Sequence, residues 1–350
     1  MHLFADISSH GLGHLAIAAP IINALAAAVP RLRLTLRSAL PAAALRKRLA
    51  PAFSHLPQGS DFGFLMRDAL ALDLAASAAA YLRDHADWPR RVATEARSLR
   101  ESGADLVLSS VSYLPLAGAA AAGIPAAAVC SLNWADLFAH YFRHQPWAAS
   151  IHGEMLAAYR SASAFLRLTP AMPMNDLSNR VDIGVVTHPG QRRLLGFPDG
   201  RRNVLIALGG IAHRLPLEAW PHQSGLRWLV PAGWDCRHPD AVAAESCGLD
   251  FPDLLASVDA VLTKPGYGTF TEAAACATPV LYVRRDDWPE QDCLIAWLHA
   301  HGACREVPAR ALAEGGLEGE LQALWSQPPP TPPATAGAAE AVAHLLALVR

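Results

Sequence analysis

The stretch that decides the fold is KPGYGTFTEA, the ten residues from Lys264 to Ala273. The apolar run before it, residues 260–263, predicts a buried parallel strand, and the small residues 273–277 predict a helix. A strand, a glycine turn and a helix in that order direct backbone N–H groups at one point, which suits a phosphate. Lys264 supports this prediction, because only two of the 29 basic residues are lysine and a compact ammonium suits phosphate.

Both halves of the chain alternate short apolar runs with helical patterns, which predicts parallel sheets covered by helices on both faces. We therefore expect an α/β fold with two Rossmann-like, doubly wound domains. The predicted strands lie at 2–7, 32–36, 105–109, 126–131, 204–208, 228–230, 258–262 and 279–283. The predicted helices lie at 15–28, 69–80, 88–101, 116–122, 295–300 and 338–349.

The pattern breaks between about 169 and 203, where proline, glycine, asparagine and aspartate accumulate. We therefore predict an N-terminal domain over 1–185, a linker over 186–202 and a C-terminal domain over 203–330. A proline cluster at 328–333 separates the latter from a closing helix within 331–350.

Composition excludes several classes of protein. The chain has 350 residues and a formal net charge of -2, which argues against nucleic-acid binding through general electrostatics. Its six cysteines form no C-x-x-C pair, so we expect reduced thiols rather than a disulfide framework or a zinc site. We see no secretory signal and no transmembrane segment, and we expect a cytoplasmic protein. The oligomeric state stays open.

A candidate functional loop follows the first strand, in which His10, Gly11 and Gly13 would form the acceptor-side loop and His14 is the candidate catalytic residue. This loop stands at the carboxyl end of a parallel strand, where open α/β sheets bind ligands. A neutral histidine there can accept a proton from an attacking hydroxyl group. The alternative is a helix-capping turn whose histidines are incidental, and we favour a functional loop.

Three further features suit a nucleotide that carries a sugar. Gly209 and Gly210 end a predicted strand and could form a second wall of the phosphate pocket. Glu272 could accept hydrogen bonds from a ribose, although helix N-termini also favour acids for their own stability. Glu290 and Gln291 could bind the hydroxyl groups of a sugar, and a solvated charged loop is the alternative.

Taken in order, these motifs resemble nucleotide-sugar glycosyltransferases of the GT-B fold. The likeness is to the family-1 type and to the peptidoglycan N-acetylglucosaminyltransferase, and it is specific from about 250 to 292. The lysine form of the loop most resembles glycosyltransferase-like domains that occur alone in bacteria or fused to sugar kinases. The resemblance implies two domains that face each other across a cleft. It also implies an acceptor site in the N-terminal domain, for which we suspect residues 53–68 and 133–152.

The resemblance also implies residue roles. His14 would be the base that activates the acceptor, and Phe251 would lie at the donor base. Glu272 would hold the donor ribose, and Glu290 with Gln291 would bind the donor sugar. The remaining donor-binding residues would surround the diphosphate: Gly209, Gly210, Lys264, Gly266, Tyr267, Gly268 and Thr269. Two positions depart from family 1, since Lys264 replaces a common histidine or arginine and Glu290 replaces an aspartate.

The implied activity is metal-independent, inverting transfer of a sugar from a UDP- or dTDP-sugar to a hydroxyl group. The nucleotide sugar is a co-substrate, and we expect no cofactor and no metal, because no D-x-D motif is present. The acceptor could be a small molecule, a glycan or a lipid-linked compound. Three alternatives stay open: a hydrolase or 2-epimerase on the same fold, a non-catalytic nucleotide-sugar binding module, and an aromatic surface for a partner or a membrane.

Overall fold

The computed structural model describes residues 1–210 and 213–349, which divide into two compact α/β units. The first unit contains a parallel sheet of seven strands in the order β3-β2-β1-β4-β5-β6-β7. Its central strands are buried on both faces, as the apolar runs predict. The strands are β1 (His2–Ile7), β2 (Arg33–Arg37), β3 (Ser54–Leu56), β4 (Leu106–Ser110), β5 (Ala126–Cys130), β6 (Ala164–Arg167) and β7 (Arg180–Asp182).

Helices connect the strands of this first sheet. They are α1 (Leu12–Ala28), α2 (Ala42–Arg48), α3 (Leu74–His85), α4 (Trp88–Ser102), α5 (Leu114–Ala122), α6 (Trp134–Phe142) and α7 (Ala148–Ser161). The predicted helix over 69–80 is displaced, because the side chain of Asp73 accepts a hydrogen bond from the backbone N–H of Ala76 and starts α3 at Leu74. The boundaries of α4 agree with the prediction within a residue. An aspartate cap, Asp87, precedes it, and a left-handed glycine, Gly103, follows it.

The second unit contains a parallel sheet of six strands in the order β10-β9-β8-β11-β12-β13. Its strands are β8 (Arg202–Ala207), β9 (Leu226–Val230), β10 (Ala241–Ala243), β11 (Ala260–Thr263), β12 (Val280–Tyr282) and β13 (Cys304–Glu306). Its helices are α8 (Phe251–Ser257), α9 (Tyr267–Ala275), α10 (Gln291–His301), α11 (Arg310–Glu314) and α12 (Glu318–Trp325). Buried aliphatic residues and two tryptophans, Trp220 and Trp228, form the core. The predicted α/β fold class is confirmed in both units.

The two units differ from the predicted domains in which segments they include. Residues 187–202, predicted as a linker, belong to the second unit, where Gly190 packs tightly on the backbone of Pro252. Residues 68–71 also belong to that unit, and Ala69 is fully buried in its core. The closing helix is α13 (Gly337–Ala347), which packs on α1 in the first unit.

Two contacts hold the closing helix in the first unit. The backbone N–H of Gly337 donates to the carbonyl of Val185, and Glu340 accepts from the backbone N–H of Gly184 at 2.7 Å. A Cβ atom on Gly337 would lie 2.2 Å from the carbonyl oxygen of Gly184, so only glycine permits this approach. Arg350, the last residue of the predicted closing segment, lies outside the described residues.

Candidate active site

In the second unit, the chain reverses its direction along the sheet between β8 and β11. Open α/β sheets bind ligands outside the carboxyl ends of the strands at such a switch point. Ala207 and Thr263 end these strands in register, and the hydroxyl of Thr263 donates to the carbonyl of Ala207 at 2.6 Å. The loops that carry Gly209 and Lys264 therefore start side by side.

Lys264 lies directly against Gly209. A Cβ atom on Gly209 would lie 3.4 Å from Cε and 3.6 Å from Nζ of Lys264, and Gly209 has a φ of 91°, which favours glycine. Gly210 follows as an exposed residue, while Ile211 and Ala212 of this predicted loop lie outside the described residues. The two glycine loops of the sequence prediction thus meet at the ammonium group of Lys264.

The helix α9 begins next to this lysine. Gly266 is its N-cap, and Tyr267, Gly268 and Thr269 form its first turn. The first N–H groups of a helix have no partner within the helix, and they attract an anion together with the helix dipole. Glu272, one turn further along α9, is only 1% exposed.

Arg285, a residue that the sequence prediction left out, supplies a second cation. Its guanidinium group lies 3.7 Å from the ring centroid of Trp288, and the residue is 7% exposed. The side-chain amide of Gln291 accepts from the backbone N–H of Arg285 at 3.0 Å and donates to its carbonyl at 3.1 Å. Gln291, predicted to bind a sugar, therefore holds the loop that presents Arg285. The sequence feature that could have indicated Arg285 is the pair of arginines, Arg284 and Arg285, shortly after the strand β12.

Charges in this region act on one another. The pKa of Lys264 is lowered to about 7, first by burial and then by the nearby positive charge of Arg285, while Glu290 acts in the opposite direction. Glu290 is 5% exposed and accepts from the indole N–H of Trp288 at 3.1 Å. Arg285 and, in its charged form, Lys264 lie near a helix N-terminus, and this combination suits a bound anion. Phe251, the predicted contact of the donor base, is the first residue of α8 and is half-buried.

The first unit has its own switch point, between β1 and β4. The loop after β1 carries His10 and Gly11, and both Gly13 and His14 lie in the first turn of α1. His14 is 8% exposed, and burial lowers its pKa to about 4, so its imidazole is neutral at pH 7. Its Nδ1 atom lies 3.8 Å from Sγ of Cys130.

Trp134 joins the histidines to a buried acid that sequence reasoning did not single out. Its ring centroid lies 5.2 Å from that of His10 and 5.6 Å from that of His14, and its indole N–H donates to Asp61 at 2.7 Å. Burial and the charge of Asp6 raise the pKa of Asp61 to about 6. Asp61 and Trp134 both fall within the segments suspected of acceptor binding, but no motif marks them individually.

The described residues lack the features of two other classes of site. Residues 1–210 and 213–349 contain no group of three or more histidine, cysteine, aspartate or glutamate side chains that could hold a metal ion. Within the same ranges, none of the helices combines the length and the apolar character needed to cross a bilayer.

Comparisons with known proteins agree with the fold described above. No protein-family model matches the chain. An L-arabinokinase of Arabidopsis thaliana is 26% identical over 340 residues, which cover 88% of this chain and 30% of that protein. The chain thus spans less than a third of the length of the curated relative.

Several solved structures share the fold over nearly the whole chain. The glycosyltransferase of kitacinnamycin has a TM-score of 0.63 and 17% identity, covering 100% of this chain and 94% of its own. The glycosyltransferase VinC, solved with dTDP, has a TM-score of 0.58 and 20% identity, and the match covers 99% of this chain and 96% of VinC. A putative UDP-N-acetylglucosamine 2-epimerase from Listeria monocytogenes has a TM-score of 0.59 and 13% identity, covering 99% and 95%. The chain has the GT-B fold.

Proposed function

We propose that the protein is an inverting, metal-independent glycosyltransferase that moves a sugar from a nucleoside-diphosphate sugar to a hydroxyl group. The observation that carries this proposal is the meeting of Lys264 with Gly209 beside the N-terminus of α9, with Arg285 as a second cation. UDP and dTDP sugars are the first donors to test, since a neighbour of the same fold was solved with dTDP.

The second unit would bind the donor and stabilise the leaving group. As the bond to the anomeric carbon breaks, negative charge grows on the nucleoside diphosphate. Lys264, Arg285 and the N–H groups of the first turn of α9 would stabilise this charge, which is the task that a divalent ion performs in metal-dependent enzymes. Glu272 would accept the hydroxyl hydrogen bonds of the ribose.

The first unit would supply the base. His14 is neutral at pH 7 and could take the proton of the acceptor hydroxyl as its oxygen attacks the anomeric carbon. The new bond would form on the face opposite the departing diphosphate, so the configuration at that carbon would invert. The proton would then leave His14 for solvent.

Titration calorimetry with UDP, dTDP, ADP and inorganic phosphate tests the donor site directly. We expect one nucleoside diphosphate to bind at micromolar concentration and inorganic phosphate to bind much more weakly. Lys264→Met and Arg285→Met should each weaken that binding, whereas Lys47→Met, on an exposed helix of the first unit, should not. If no nucleoside diphosphate binds the unmodified protein, the proposal is wrong.

A hydrolase or 2-epimerase is the second candidate, because the structure of a putative 2-epimerase shares the fold as closely as VinC does. Product analysis with a nucleotide sugar and no acceptor separates the two. A steady release of free sugar or a change of configuration at C2 would favour the second candidate. An intact donor that is consumed only when a hydroxyl acceptor is added would favour transfer. Binding of the donor without any turnover would indicate a binding module.

A further inference from the structure

A narrow pocket lies in the first unit behind Trp134. It has a volume of about 10 Å³, which is room for one water-sized group. Aromatic rings and charged side chains form its wall, and all of them belong to the first unit. The polar side chains in its wall that the argument below uses belong to Asp61, Asp84, Arg91, Tyr113 and Trp134.

A buried hydrogen-bonded relay ends at this pocket. The Nδ1 atom of His85 lies 2.6 Å from a carboxylate oxygen of Glu154, and its Nε2 atom lies 2.8 Å from the hydroxyl of Tyr113. The ring of His85 stacks on Trp88 at 4.9 Å, and its side chain is only 2% exposed. Glu154 is 31% exposed, so the relay begins near solvent and ends at the hydroxyl of Tyr113.

The protonation of His85 determines the direction of its hydrogen bond with the hydroxyl of Tyr113. A carboxylate only accepts hydrogen bonds, so Nδ1 of His85 carries a proton and donates to Glu154. Burial lowers the pKa of His85, and a neutral imidazole with a proton on Nδ1 accepts at Nε2. The hydroxyl of Tyr113 therefore donates to His85, and its oxygen lone pairs are left for the pocket.

Asp61 places a second acceptor at the same pocket. Its Oδ2 atom accepts from the indole N–H of Trp134 at 2.7 Å. Its Oδ1 atom is buried and accepts no well-formed hydrogen bond from any described residue, although the hydroxyls of Ser8 and Ser112 lie near enough to favour the charged carboxylate. A buried carboxylate oxygen without a partner costs free energy unless a donor fills the site.

We propose that this pocket is an acceptor subsite, and that Asp61 and Tyr113 bind one hydroxyl group of an uncharged acceptor there. Asp61 disfavours an anionic group, and Arg91, paired with Asp84 at 3.0 Å on the wall, disfavours a second cation. The group that fits the pocket is therefore an uncharged hydrogen-bond donor of the size of a hydroxyl group. His85 and Glu154 are positioning residues, because they act through Tyr113. This inference rests on the proposed transferase function.

The test uses the full chain, saturated with the nucleoside diphosphate that binds it, and a panel of hydroxyl compounds. The panel contains neutral sugars and polyols, led by D-galactose, with D-galactosamine and D-galacturonate as charged analogues. Binding is followed by NMR titration of the sugar signals. We expect neutral compounds to bind at least about tenfold more tightly than the uronate or the amino sugar of the same ring.

Four variants separate the roles of the residues. Asp61→Asn and Tyr113→Phe should each weaken binding of the neutral probe about tenfold. Tyr282→Phe, which removes a hydroxyl that lies 3.0 Å from Nε2 of His299 in the second unit, should leave binding unchanged. Glu154→Leu should weaken binding because His85 loses its fixed tautomer. Glu154→Gln should restore most of it, because the amide oxygen still accepts from Nδ1.

The outcomes are distinguishable from those of the donor test. Nucleoside-diphosphate binding in each variant reports that the protein is folded and that the donor site is intact. If that binding persists but no neutral probe depends on Asp61 and Tyr113, the subsite is refuted and the proposed function stands. If neutral probes depend on these residues but no nucleoside diphosphate binds, the proposed function is refuted and the pocket remains a hydroxyl-binding site. Tighter binding of a charged analogue also refutes the subsite as proposed.

Discussion

The two switch points of the molecule use the same fold for opposite electrostatic tasks. In the second unit, Lys264 and Arg285 lie near a helix N-terminus, and burial lowers the pKa of the lysine to about 7. In the first unit, burial favours the neutral forms of His14 and Asp61. Under the proposed function, the first arrangement would bind an anion, whereas the second would serve proton transfer and uncharged groups. The same topology thus carries buried side chains of different charge at its two switch points.

The largest expected effect comes from removing His14, the proposed base, while the second unit is left unchanged. His14→Ala should lower turnover about 10²–10⁴-fold, because the acceptor hydroxyl loses its proton acceptor. Donor affinity should change less than twofold, since the cations lie in the second unit. Initial rates and donor titrations on the same preparation measure both quantities. An unchanged rate would remove His14 from the mechanism, and His344→Ala, at an exposed histidine on α13 of the same unit, is the control that should leave the rate unchanged.

Removal of the cation should have the reverse effect. Lys264→Met should weaken donor affinity about 100-fold, because a charge-assisted contact to the diphosphate is lost. The apo protein should become more stable at pH 7 by about 2–4 kcal/mol, since folding lowers the pKa of Lys264 and the charged form is penalised. Calorimetry and thermal unfolding check the two effects. Lys47→Met, at the only other lysine, is the matched control.

The pH dependence of donor binding should follow from the same lysine. The free site has a pKa of about 7 at Lys264, so the ammonium is mostly present below pH 7 and mostly lost above it. A diphosphate favours the charged form, so donor affinity should fall about tenfold between pH 7 and 8.5, with a proton taken up on binding. Calorimetry in buffers with different ionisation enthalpies measures that uptake. In Lys264→Arg the slope should disappear; a slope that persists would assign it to another group.

The two candidate sites differ in how many of their residues could be predicted from the sequence. The second site lies on one short motif, because a glycine turn between strand and helix carries its own geometry. The lysine, both glycine loops and Glu272 could therefore be named in advance. Arg285 could not, because its position depends on Gln291 and Trp288 folding the next loop around it.

In the first site, only the histidine loop carries a local signal. Asp61 and Trp134 are 73 positions apart in the chain and meet through packing, so no spacing in the sequence predicts their hydrogen bond. The same holds for His85, which contacts Glu154 on α7 and Tyr113 just before α5. The displaced start of α3 shows a related limit. A run of small residues predicts a helix, but the Asp73 cap determines where it starts.

A smaller effect tests the contact between the two glycine loops. Gly209→Ala should weaken donor binding a few-fold, because a φ of 91° strains alanine in the loop, where its Cβ would contact Cε of Lys264 at 3.4 Å. Gly225→Ala, where a Cβ meets no atom within 4 Å, is the control for a glycine substitution in the same unit. Equal effects of the two substitutions on donor affinity would show that the Gly209 contact has no special role.

The smallest effect concerns stability in the first unit. Folding raises the pKa of Asp61 to about 6 from an ordinary value of 3.8, so the folded state binds the proton more tightly than the unfolded state does. The penalty is absent below about pH 4 and fully present above about pH 6. Asp61→Asn should therefore add about 1–2 kcal/mol to the unfolding free energy at pH 8 and much less at pH 4.5. Urea unfolding of the variant and the unmodified protein at both pH values measures this difference. An equal gain at both would mean that the stability change comes from packing, and that Asp61 has no buried charge for an acceptor hydroxyl to satisfy.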